Sequence, residues 1–273
     1  MKKKRSKTPL IFAALILVLA GALYISNFSL TVSHFSIISN KLPNSFDGFK
    51  IAQISDLHGA EFGHGNEKLL NLLKNESPNI IAVTGDIADS EKTEEIAIEL
   101  CAAMCEIAPV YFVAGNHEWA LDNPRGFFSR LEDVGVKVLE NEYEVFEING
   151  EQLVLAGVGD PNGPYDQISP AEFMATLPEG YHVILYHRND NLELFASIGA
   201  DLVLSGHAHG GLIRLPLVGG LIGTNRDWFP DYTSGIYESG ETKMVVSRGL
   251  GNVGKTFRLF NSPQLVIVTL GKE

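Results

Sequence analysis

Short, almost continuous apolar runs alternate with helix-like segments from about residue 45 onward, and this alternation limits the possible folds more than any other feature. Residues 49–55, 79–84 and 110–114 have the length and composition of strands. Residues 65–77 and 91–107 have the apolar spacing of amphipathic helices. Continuous apolar strands are typical of sheets buried on both faces, so the first half of the chain predicts an α/β fold.

The second half of the chain is richer in turn signals. Asn149-Gly150 separates the strand-like residues 143–148 and 152–157, which is a strong hairpin signal. Further strands are predicted at residues 183–186, 202–205, 243–247 and 264–270. The simplest architecture is one α/β domain in which two sheets lie between helices.

An apolar run extends from Leu10 to Ile25 and follows a cluster of basic residues. That cluster comprises Lys2, Lys3, Lys4, Arg5 and Lys7. Because about 20 helical residues are needed to cross a bilayer core, the run predicts a transmembrane anchor. A secretory signal cleaved near Ala20-Gly21-Ala22 and a buried helix of a soluble protein are the alternatives, although residues 23–25 continue the apolar stretch.

Four segments follow from this interpretation. Residues 1–8 are a cytoplasmic basic segment, 9–29 a transmembrane signal anchor, 30–44 a linker, and 45–273 the folded domain. The tendency of basic residues to remain in the cytoplasm predicts a single-pass protein of the cell membrane with its domain on the extracytoplasmic side.

The charge of the chain argues against one class of partner. The first 40 residues contain five basic and no acidic groups, which leaves 16 basic and 33 acidic groups in the remainder, a net charge of −17 there. A domain this acidic repels polyanions, so no nucleic-acid partner is expected. Cys101 and Cys105 are too few for a disulfide framework, and their spacing predicts packing on one helix face.

Polar side chains follow the predicted strands at the point where each strand ends. In chain order they are Asp56-x-His58, Gly85-Asp86, Gly115-Asn116-His117-Glu118, His187 and Gly206-His207-x-His209. The carboxyl ends of strands in α/β sheets face the ligand crevice, so we expect these distant residues to converge. His34, His64 and His182 fall outside the series and are predicted to be surface or local structural residues.

The residue types in this series favour a site for divalent metal ions. Mn²⁺, Fe²⁺ and Zn²⁺ accept carboxylate oxygen, amide oxygen and imidazole nitrogen as ligands. Two such ions lying a few ångströms apart need a shared anionic ligand, and the two oxygens of Asp86 can serve both. The series contains no thiolate, which argues against a structural zinc site.

The motif series resembles that of the calcineurin-like metallophosphoesterase family, and with the apolar N-terminal run it is similar to the membrane-anchored bacterial branch. The resemblance covers residues 45–273 and implies a four-layer α/β/β/α sandwich with two mixed sheets around a dinuclear metal centre. It assigns Asp56, His58 and His209 to the first ion. It assigns Asn116, His187 and His207 to the second, with Asp86 bridging. The two ions would be Mn, Zn or Fe.

Two positions depart from the pattern of the family. Arg188-Asn189 follows His187, where relatives commonly have Asn-Pro, and this leaves His182 as an alternative ligand. Leu212 follows Gly210-Gly211, where relatives usually have Gln.

The implied activity is hydrolysis of a phosphate ester or pyrophosphate bond. A pair of cations lowers the pKa of bound water toward about 7. His117 is expected to donate a proton or hydrogen bond to the leaving oxygen, and Glu118 to orient an imidazole. The apolar residues 212–222, with Trp228, Phe229 and Tyr232, either receive an acyl chain or touch a bilayer, or form a hairpin packed on the core. The resemblance admits a phospholipid or a lipid-linked substrate similar to UDP-2,3-diacylglucosamine.

Two other functions are compatible with parts of the sequence. Residues 249–256 match the phosphate-binding loop pattern of nucleotide hydrolases, with Lys255 at the lysine position. That pattern works only if a helix begins at the lysine, whereas Asn261-Ser262-Pro263 would stop such a helix after about two turns at most, so a glycine-rich structural loop is favoured. A non-catalytic, metal-stabilised interaction module is the second alternative.

Overall fold

The computed structural model of the chain describes residues 8–215, 217–224, 226–254 and 256–273. Within these ranges, strands β1 to β14 are Thr31–Ser39, Lys50–Ile54, Ile80–Val83, Val110–Phe112, Lys137–Val138, Glu142–Ile148, Glu151–Gly157, Tyr181–Leu185, Leu202–Ser205, Ile213–Leu215, Gly219–Ile222, Gly235–Ser239, Thr242–Val246 and Gln264–Lys272. Helices α1 to α7 are Thr8–Phe28, Glu67–Glu76, Glu91–Cys105, Asn116–Trp119, Pro124–Asp133, Pro170–Met174 and Leu192–Ser197. Short 3-10 turns lie at Asn44–Phe46 and His64–Asn66.

Twelve of the strands form two six-stranded mixed sheets. The first sheet has the order β1-β14-β2-β3-β4-β5, in which β14 is antiparallel to β2 and every other pair is parallel. The second has the order β12-β13-β9-β8-β7-β6, with a parallel centre and one antiparallel pair at each edge. β10 and β11 form a small antiparallel hairpin outside the two six-stranded sheets.

The two sheets pack face to face because the strands alternate their side chains between two buried surfaces. On β3, Ile80 and Ala82 point into the core between the sheets, whereas Ile81 and Val83 face helices α2, α3 and α5. A third cluster, which includes Phe195 and Val203, lies between the second sheet and helices α6 and α7. The predicted four-layer α/β/β/α sandwich is therefore confirmed.

The linker expected over residues 30–44 is instead a strand of the first sheet. β1 pairs with β14 over nine residues, from Thr31 opposite Gln264 to Ser39 opposite Lys272. Ile37 and Leu42 are buried in the core between the sheets. The prediction was wrong because β1 is an edge strand with few buried side chains, and its partner lies more than 200 positions away in the sequence.

Helix α1 is long and apolar enough to cross a membrane. Its window Ile11–Phe28 has a mean hydropathy of 2.2, and only 6% of that window is buried. The exposed surface of α1 contradicts the alternative of a buried soluble helix. At the end of α1, Nδ2 of Asn27 donates a 2.8 Å hydrogen bond to the carbonyl of Arg258. The backbone N–H of Arg258 in turn donates a 2.9 Å hydrogen bond to Oδ1 of Asn27.

Two turn predictions can be compared with the backbone. Asn149 and Gly150 have φ of 54° and 79°, as a two-residue hairpin turn of type I′ requires, so that hairpin is confirmed.

In the described residues between Gly249 and Pro263 no helix forms, and Lys255 lies outside them. A Cβ on Gly249 would meet the Cβ of Asp56 at 2.6 Å, and one on Gly251 would overlap the carbonyl of Leu57. These glycines thus permit a close approach to the loop after β2.

Candidate metal centre

The strand-end residues of the sequence motifs meet in one cleft formed by both sheets. Asp56 and His58 follow β2, Asp86 follows β3, and Asn116 begins α4 after β4. The second sheet supplies the remaining three residues from its central strands: His187 follows β8, and His207 and His209 follow β9. The structure therefore brings together all seven residues that the sequence analysis assigned to metal ions.

Left-handed backbone conformations turn these strand ends into the cleft. Asp56, His58, Asp86, His207 and His209 have φ between 47° and 65°. Such a conformation is uncommon for residues other than glycine and costs on the order of 1 kcal/mol or more each. Backbone hydrogen bonds between neighbouring strand ends hold it, including those from Asp56 N to Gly85 O and from His58 N to Asp86 O, both 3.0 Å long.

The first trio of potential ligands comprises Asp56, His58 and His209. Nε2 of His209 lies 3.2 Å from Nε2 of His58 and 3.4 Å from Oδ1 of Asp56. All three side chains are buried. Ser55 Oγ donates a 2.6 Å hydrogen bond to Oδ2 of Asp56 and so fixes the orientation of the carboxylate.

The second trio comprises Asp86, His187 and His207. Nε2 of His187 lies 3.1 Å from both Oδ2 of Asp86 and Nδ1 of His207. Nδ1 of His187 lies 2.8 Å from the carbonyl of Thr84, and donation to that carbonyl leaves Nε2 free to bind. In each trio the potential ligand atoms lie within 4.8 Å of one another.

One oxygen of Asp86, a member of the second trio, also faces the first trio. Its Oδ2 is 3.1 Å from Nε2 of His187 and 3.9 Å from Nε2 of His58. Oδ1 accepts a 2.9 Å hydrogen bond from the backbone of His117. The carboxylate is thus held where it faces ligands of both trios.

Asn116 supplies an independent indication that a cation fits here. Its side-chain oxygen is buried and has no hydrogen-bond partner among the described residues. Buried polar atoms are rarely left unpaired, so an amide oxygen in this position needs a partner of positive character. Amide oxygen, carboxylate and imidazole are a donor set for borderline divalent cations, which the cleft therefore fits.

The pKa values of the imidazoles vary with burial and neighbouring charges. Burial, followed by the charges of His187 and Arg188, lowers the pKa of His207 to about 4. Burial and then Arg258 hold the pKa of His209 well below its usual value. Both rings are therefore neutral at pH 7, the form that binds metal ions. Burial raises the pKa of Asp86, but His187, His58 and His117 together lower it well below its usual range.

Glu118 supports the backbone of the site rather than orienting an imidazole, as the sequence analysis had expected. Its buried carboxylate accepts hydrogen bonds from the amides of Asp86, Ile87, Ala88 and Gly115, with lengths between 2.7 and 3.0 Å. Burial and then Asp86 raise its pKa to about 7, although the backbone amides act in the opposite direction. The expectation was wrong because α4 starts directly at Asn116 and turns the Glu118 side chain back toward the loop after β3.

His117 lies on the wall of the same cleft. Its ring centroid is 4.7 Å from that of His58, in an edge-to-face arrangement. Burial lowers its pKa, against the charges of Asp86 and Asp89. At neutral pH the ring is therefore uncharged and retains one N–H donor.

The alternative ligand His182 lies outside the cleft. Its ring Nε2 is 2.9 Å from the carbonyl of Pro178, and its backbone amide donates to Asp201. His34 is paired with Glu76 at 3.0 Å on the surface, and His64 lies in a 3-10 turn. Both cysteines are free, and they pack with the cluster between α3 and the first sheet.

Two residues near the site were missed by the sequence analysis. Oδ2 of Asp89 is 3.6 Å from Nδ1 of His58. The sequence does contain a signal for Asp89, which is the second acidic residue of Gly85-Asp86-x-x-Asp89. Nη2 of the buried Arg258 lies 3.3 Å from Nδ1 of His209, and no local motif indicated a role for that residue.

The cleft between the two trios has a volume of about 230 Å³. Its wall comprises Asp86, Asn116, His117, His207, His209, Leu212, Thr224, Val253 and Thr256. Leu212, one of the two departures from the family pattern, therefore borders the cleft and does not contribute a ligand. The wall thus combines candidate nitrogen and oxygen ligands with the apolar side chains of Leu212 and Val253 and with two threonines.

Comparisons with known proteins agree with this geometry. A family model described as calcineurin-like phosphoesterase matches residues 49–211, the range that contains all seven residues. An uncharacterized metallophosphoesterase of Bacillus subtilis (strain 168), YkuE, is 29% identical over 259 residues, covering 91% of this chain and 88% of that one. Phosphodiesterase YaeI of Escherichia coli (strain K12) is 28% identical over 228 residues, covering 81% and 82%. A Danio rerio transmembrane protein with metallophosphoesterase domain is 27% identical over 248 residues, covering 84% of this chain and 55% of that one.

Proposed function

The chain belongs to the calcineurin-like phosphoesterase family and is a metal-dependent phosphoesterase, and from that premise we propose that it hydrolyses a phosphate ester or pyrophosphate bond of a lipid-linked substrate at two divalent cations. The family is dimetal-dependent. The observation that carries the proposal is the position of Asp86 Oδ2, 3.1 Å from His187 and 3.9 Å from His58, between two trios of ligand atoms.

Two sets of side chains would each hold one cation. Asp56, His58 and His209 would bind the first ion, and Asn116, His187 and His207 the second, with Asp86 bridging. The unpaired buried oxygen of Asn116 supports its place in this set. The ligand types favour Mn²⁺, Zn²⁺ or Fe²⁺.

The cation pair would supply a water of nearly neutral pKa and offset the charge of the phosphoryl oxygens. His117 borders the cleft and carries an N–H, so it would donate a hydrogen bond or proton to the leaving oxygen. Glu118 would act indirectly, since its four backbone contacts hold the loop after β3 and the start of α4 in register. Asp89, 3.6 Å from Nδ1 of His58, would fix the orientation of that ring.

A lipid-linked substrate is supported by the composition of the cleft wall and by the apolar helix. Leu212 and Val253 border the cleft, and a purely polar phosphate ester would gain nothing from these apolar side chains. Asn27, in the last turn of helix α1, is hydrogen-bonded to the domain, so a membrane anchor would keep the cleft close to a bilayer.

The proposed location is the cell membrane, with α1 crossing it once and the domain on the extracytoplasmic side. An anchor is supported by the apolar surface of α1 and by the transmembrane relative. The orientation depends on the basic residues 2–7, which lie outside the described residues. A C-terminal reporter that is active only in the cytoplasm would contradict it.

The metal assignment is tested on the full chain in detergent, by metal analysis after loading with Mn²⁺ and by turnover of a chromogenic phosphodiester. Asp86→Asn keeps the shape of the side chain but removes its charge, so we expect loss of at least one ion per chain and at least about 100-fold lower turnover. Asp133→Asn, at the exposed end of α5, is the matched control. An Asp86→Asn chain with two ions and normal turnover would refute the assignment.

The substrate class is tested separately with the unmodified chain. Phosphomonoesters, phosphodiesters and lipid pyrophosphates, including a UDP-2,3-diacylglucosamine-like compound, are compared by kcat/KM. We expect the lipid-linked compounds to exceed water-soluble analogues with the same phosphate group. Equal values would contradict the lipid part of the proposal alone, while two bound ions without any turnover would favour a non-catalytic module.

A further inference from the structure

Six large apolar side chains are exposed on three segments that follow the last metal-ligand loop. They are Leu217, Val218, Trp228, Phe229, Phe257 and Phe260, with exposed fractions from 49% for Phe260 to 108% for Leu217. We call this set the apolar collar. The hairpin that the sequence offered as an alternative for residues 212–222 does form from β10 and β11. Leu217 and Val218, at its turn, are exposed and do not pack on the core.

Backbone pairing joins the three segments that carry the collar into one surface. Leu259, between Phe257 and Phe260, pairs with Ile213 of β10, and its carbonyl accepts a 3.0 Å hydrogen bond from Arg214 N. Trp228 pairs with Ile222 of β11, and Phe229 N donates to the carbonyl of Leu221 at 3.0 Å. The collar residues are therefore presented together by a paired backbone.

The collar is continuous with the end of helix α1. Asn27 bonds both backbone groups of Arg258, the residue between Phe257 and Leu259. Nδ2 of Asn252 adds a 3.2 Å contact to Oδ1 of Asn27. If α1 spans a bilayer as proposed, these contacts would hold the segment of Phe257 and Phe260 near the membrane-water boundary at the end of the helix.

The segments that carry the collar also contribute residues to the wall of the metal cleft. Leu212 precedes β10, Thr224 follows β11, and Val253 and Thr256 precede Phe257. The collar residues are therefore close neighbours, along the chain, of residues that line the cleft. A surface that covered the collar would lie near the cleft.

We propose that the apolar collar enters the outer part of the same bilayer that α1 crosses, so that the metal cleft opens toward lipid headgroups. A lipid surface is the occupant that the structure favours, because the collar is continuous with the end of an apolar spanning helix. Exposed Trp and Phe side chains are suited to the interface between headgroups and acyl chains. Arg226 beside Trp228 would face anionic headgroups, whereas Asp227 and Asp231 would have to remain in water. The proposal rests on α1 as an anchor and not on the lipid substrate.

The two tryptophans of the chain allow a direct test in vesicles. Trp228 is a collar residue, whereas Trp119 lies in α4, where Arg125 is 5.1 Å from its ring centroid. The full chain is reconstituted in phosphatidylcholine vesicles with and without phosphatidylcholine brominated near the top of its acyl chains. We expect Trp119→Phe chains, which retain Trp228, to lose at least half of their emission to the brominated lipid. Trp228→Phe chains, which retain Trp119, should lose little.

Two further measurements keep the proposal open to refutation. Trp119 lies in α4, next to the metal site, so Trp119→Phe could disturb that site. The fluorescence of Trp228 is therefore also obtained by subtracting the emission of Trp228→Phe from that of the unmodified chain, which leaves α4 unaltered. Leu217→Asp with Val218→Asp should reduce the quenching of Trp228 at least twofold while leaving the ion content unchanged. Trp228 emission that is insensitive to brominated lipid would overturn the proposal. Protection of Trp228 from acrylamide that disappears as the protein is diluted in lipid would indicate that a second copy of the chain covers the collar. That result would also overturn the proposal.

Discussion

Asp160 and Arg188 form a two-bonded ion pair at the edge of the metal cleft. The guanidinium approaches the carboxylate through Nε at 2.8 Å from Oδ2 and through Nη2 at 3.1 Å from Oδ1. The Asp160 side chain is fully buried, whereas Arg188 remains 22% exposed and lines a second cavity together with His207. The ion pair therefore fixes the residue that directly follows the candidate ligand His187.

Removal of Arg188 should destabilise the domain more than neutralisation of Asp160. Arg188→Ala leaves a buried carboxylate without its counter-charge, so we expect a loss of about 3 kcal/mol or more in the free energy of unfolding. Asp160→Asn removes the buried charge and leaves a partly exposed arginine, so the loss should be nearer about 1 kcal/mol. Urea unfolding of each variant measures both values, and the reverse order would contradict the role of burial.

Truncation of Glu118 should remove metal binding together with stability. Glu118→Ala leaves four backbone amides without their acceptor, and each buried unpaired donor costs about 1–3 kcal/mol. We expect a stability loss of about 3 kcal/mol or more and at most half of the normal ion content. Glu118→Gln retains one acceptor oxygen and should be intermediate.

Ion content by elemental analysis and the thermal midpoint check this prediction. Glu132→Gln, on the exposed side of α5, is the control. Full ion content in a stable Glu118→Ala chain would show that the four contacts do not position the ligands.

Replacement of His117 should separate turnover from metal binding. The ring borders the cleft and is not in the proposed ligand set, so His117→Ala should lower kcat by about 10²–10⁴-fold with nearly normal ion content. His34→Ala, which removes a surface ring paired with Glu76, should leave both values unchanged. Loss of an ion in His117→Ala would assign the ring to the ligands instead.

Buried tyrosine should make the domain sensitive to alkali. Burial, with a contribution from Glu144, raises the pKa of Tyr111 to about 12, above the value of about 10 in an unfolded chain. The stabilisation that Tyr111 contributes through this difference in pKa is fully present below pH 10. It is lost as pH rises from 10 toward 12, by at most about 1.4 kcal/mol per pH unit. Denaturation of the unmodified chain and of Tyr111→Phe between pH 8 and 11 measures the difference, which should widen in favour of Tyr111→Phe above pH 10. The control Tyr143→Phe, at an exposed position, should parallel the unmodified chain.

The fold was predicted best where the local sequence of a segment, such as an apolar run or an Asn-Gly turn, is enough to define its structure. The strand over 202–205 has the same bounds in the structure, and the hairpin at Asn149-Gly150 follows from two residues that tolerate left-handed φ. β1 was missed because its pattern is half-exposed and its pairing with β14 is non-local. Helices α5, α6 and α7 were also not predicted, and α6 and α7 are only five and six residues long.

The amino-acid sequence by itself determined the types and order of the potential ligands, because imidazole, carboxylate and amide oxygen keep their chemistry wherever they lie. It also determined that each of them follows a strand. They could therefore be expected to converge, because parallel strands of one domain end at a common edge. Only the tertiary structure decided that Glu118 bonds four backbone amides, that Arg258 lies against His209, and that Leu217 and Trp228 are exposed. Those contacts join segments far apart in the chain, and local periodicity carries no information about which distant segment a side chain will meet.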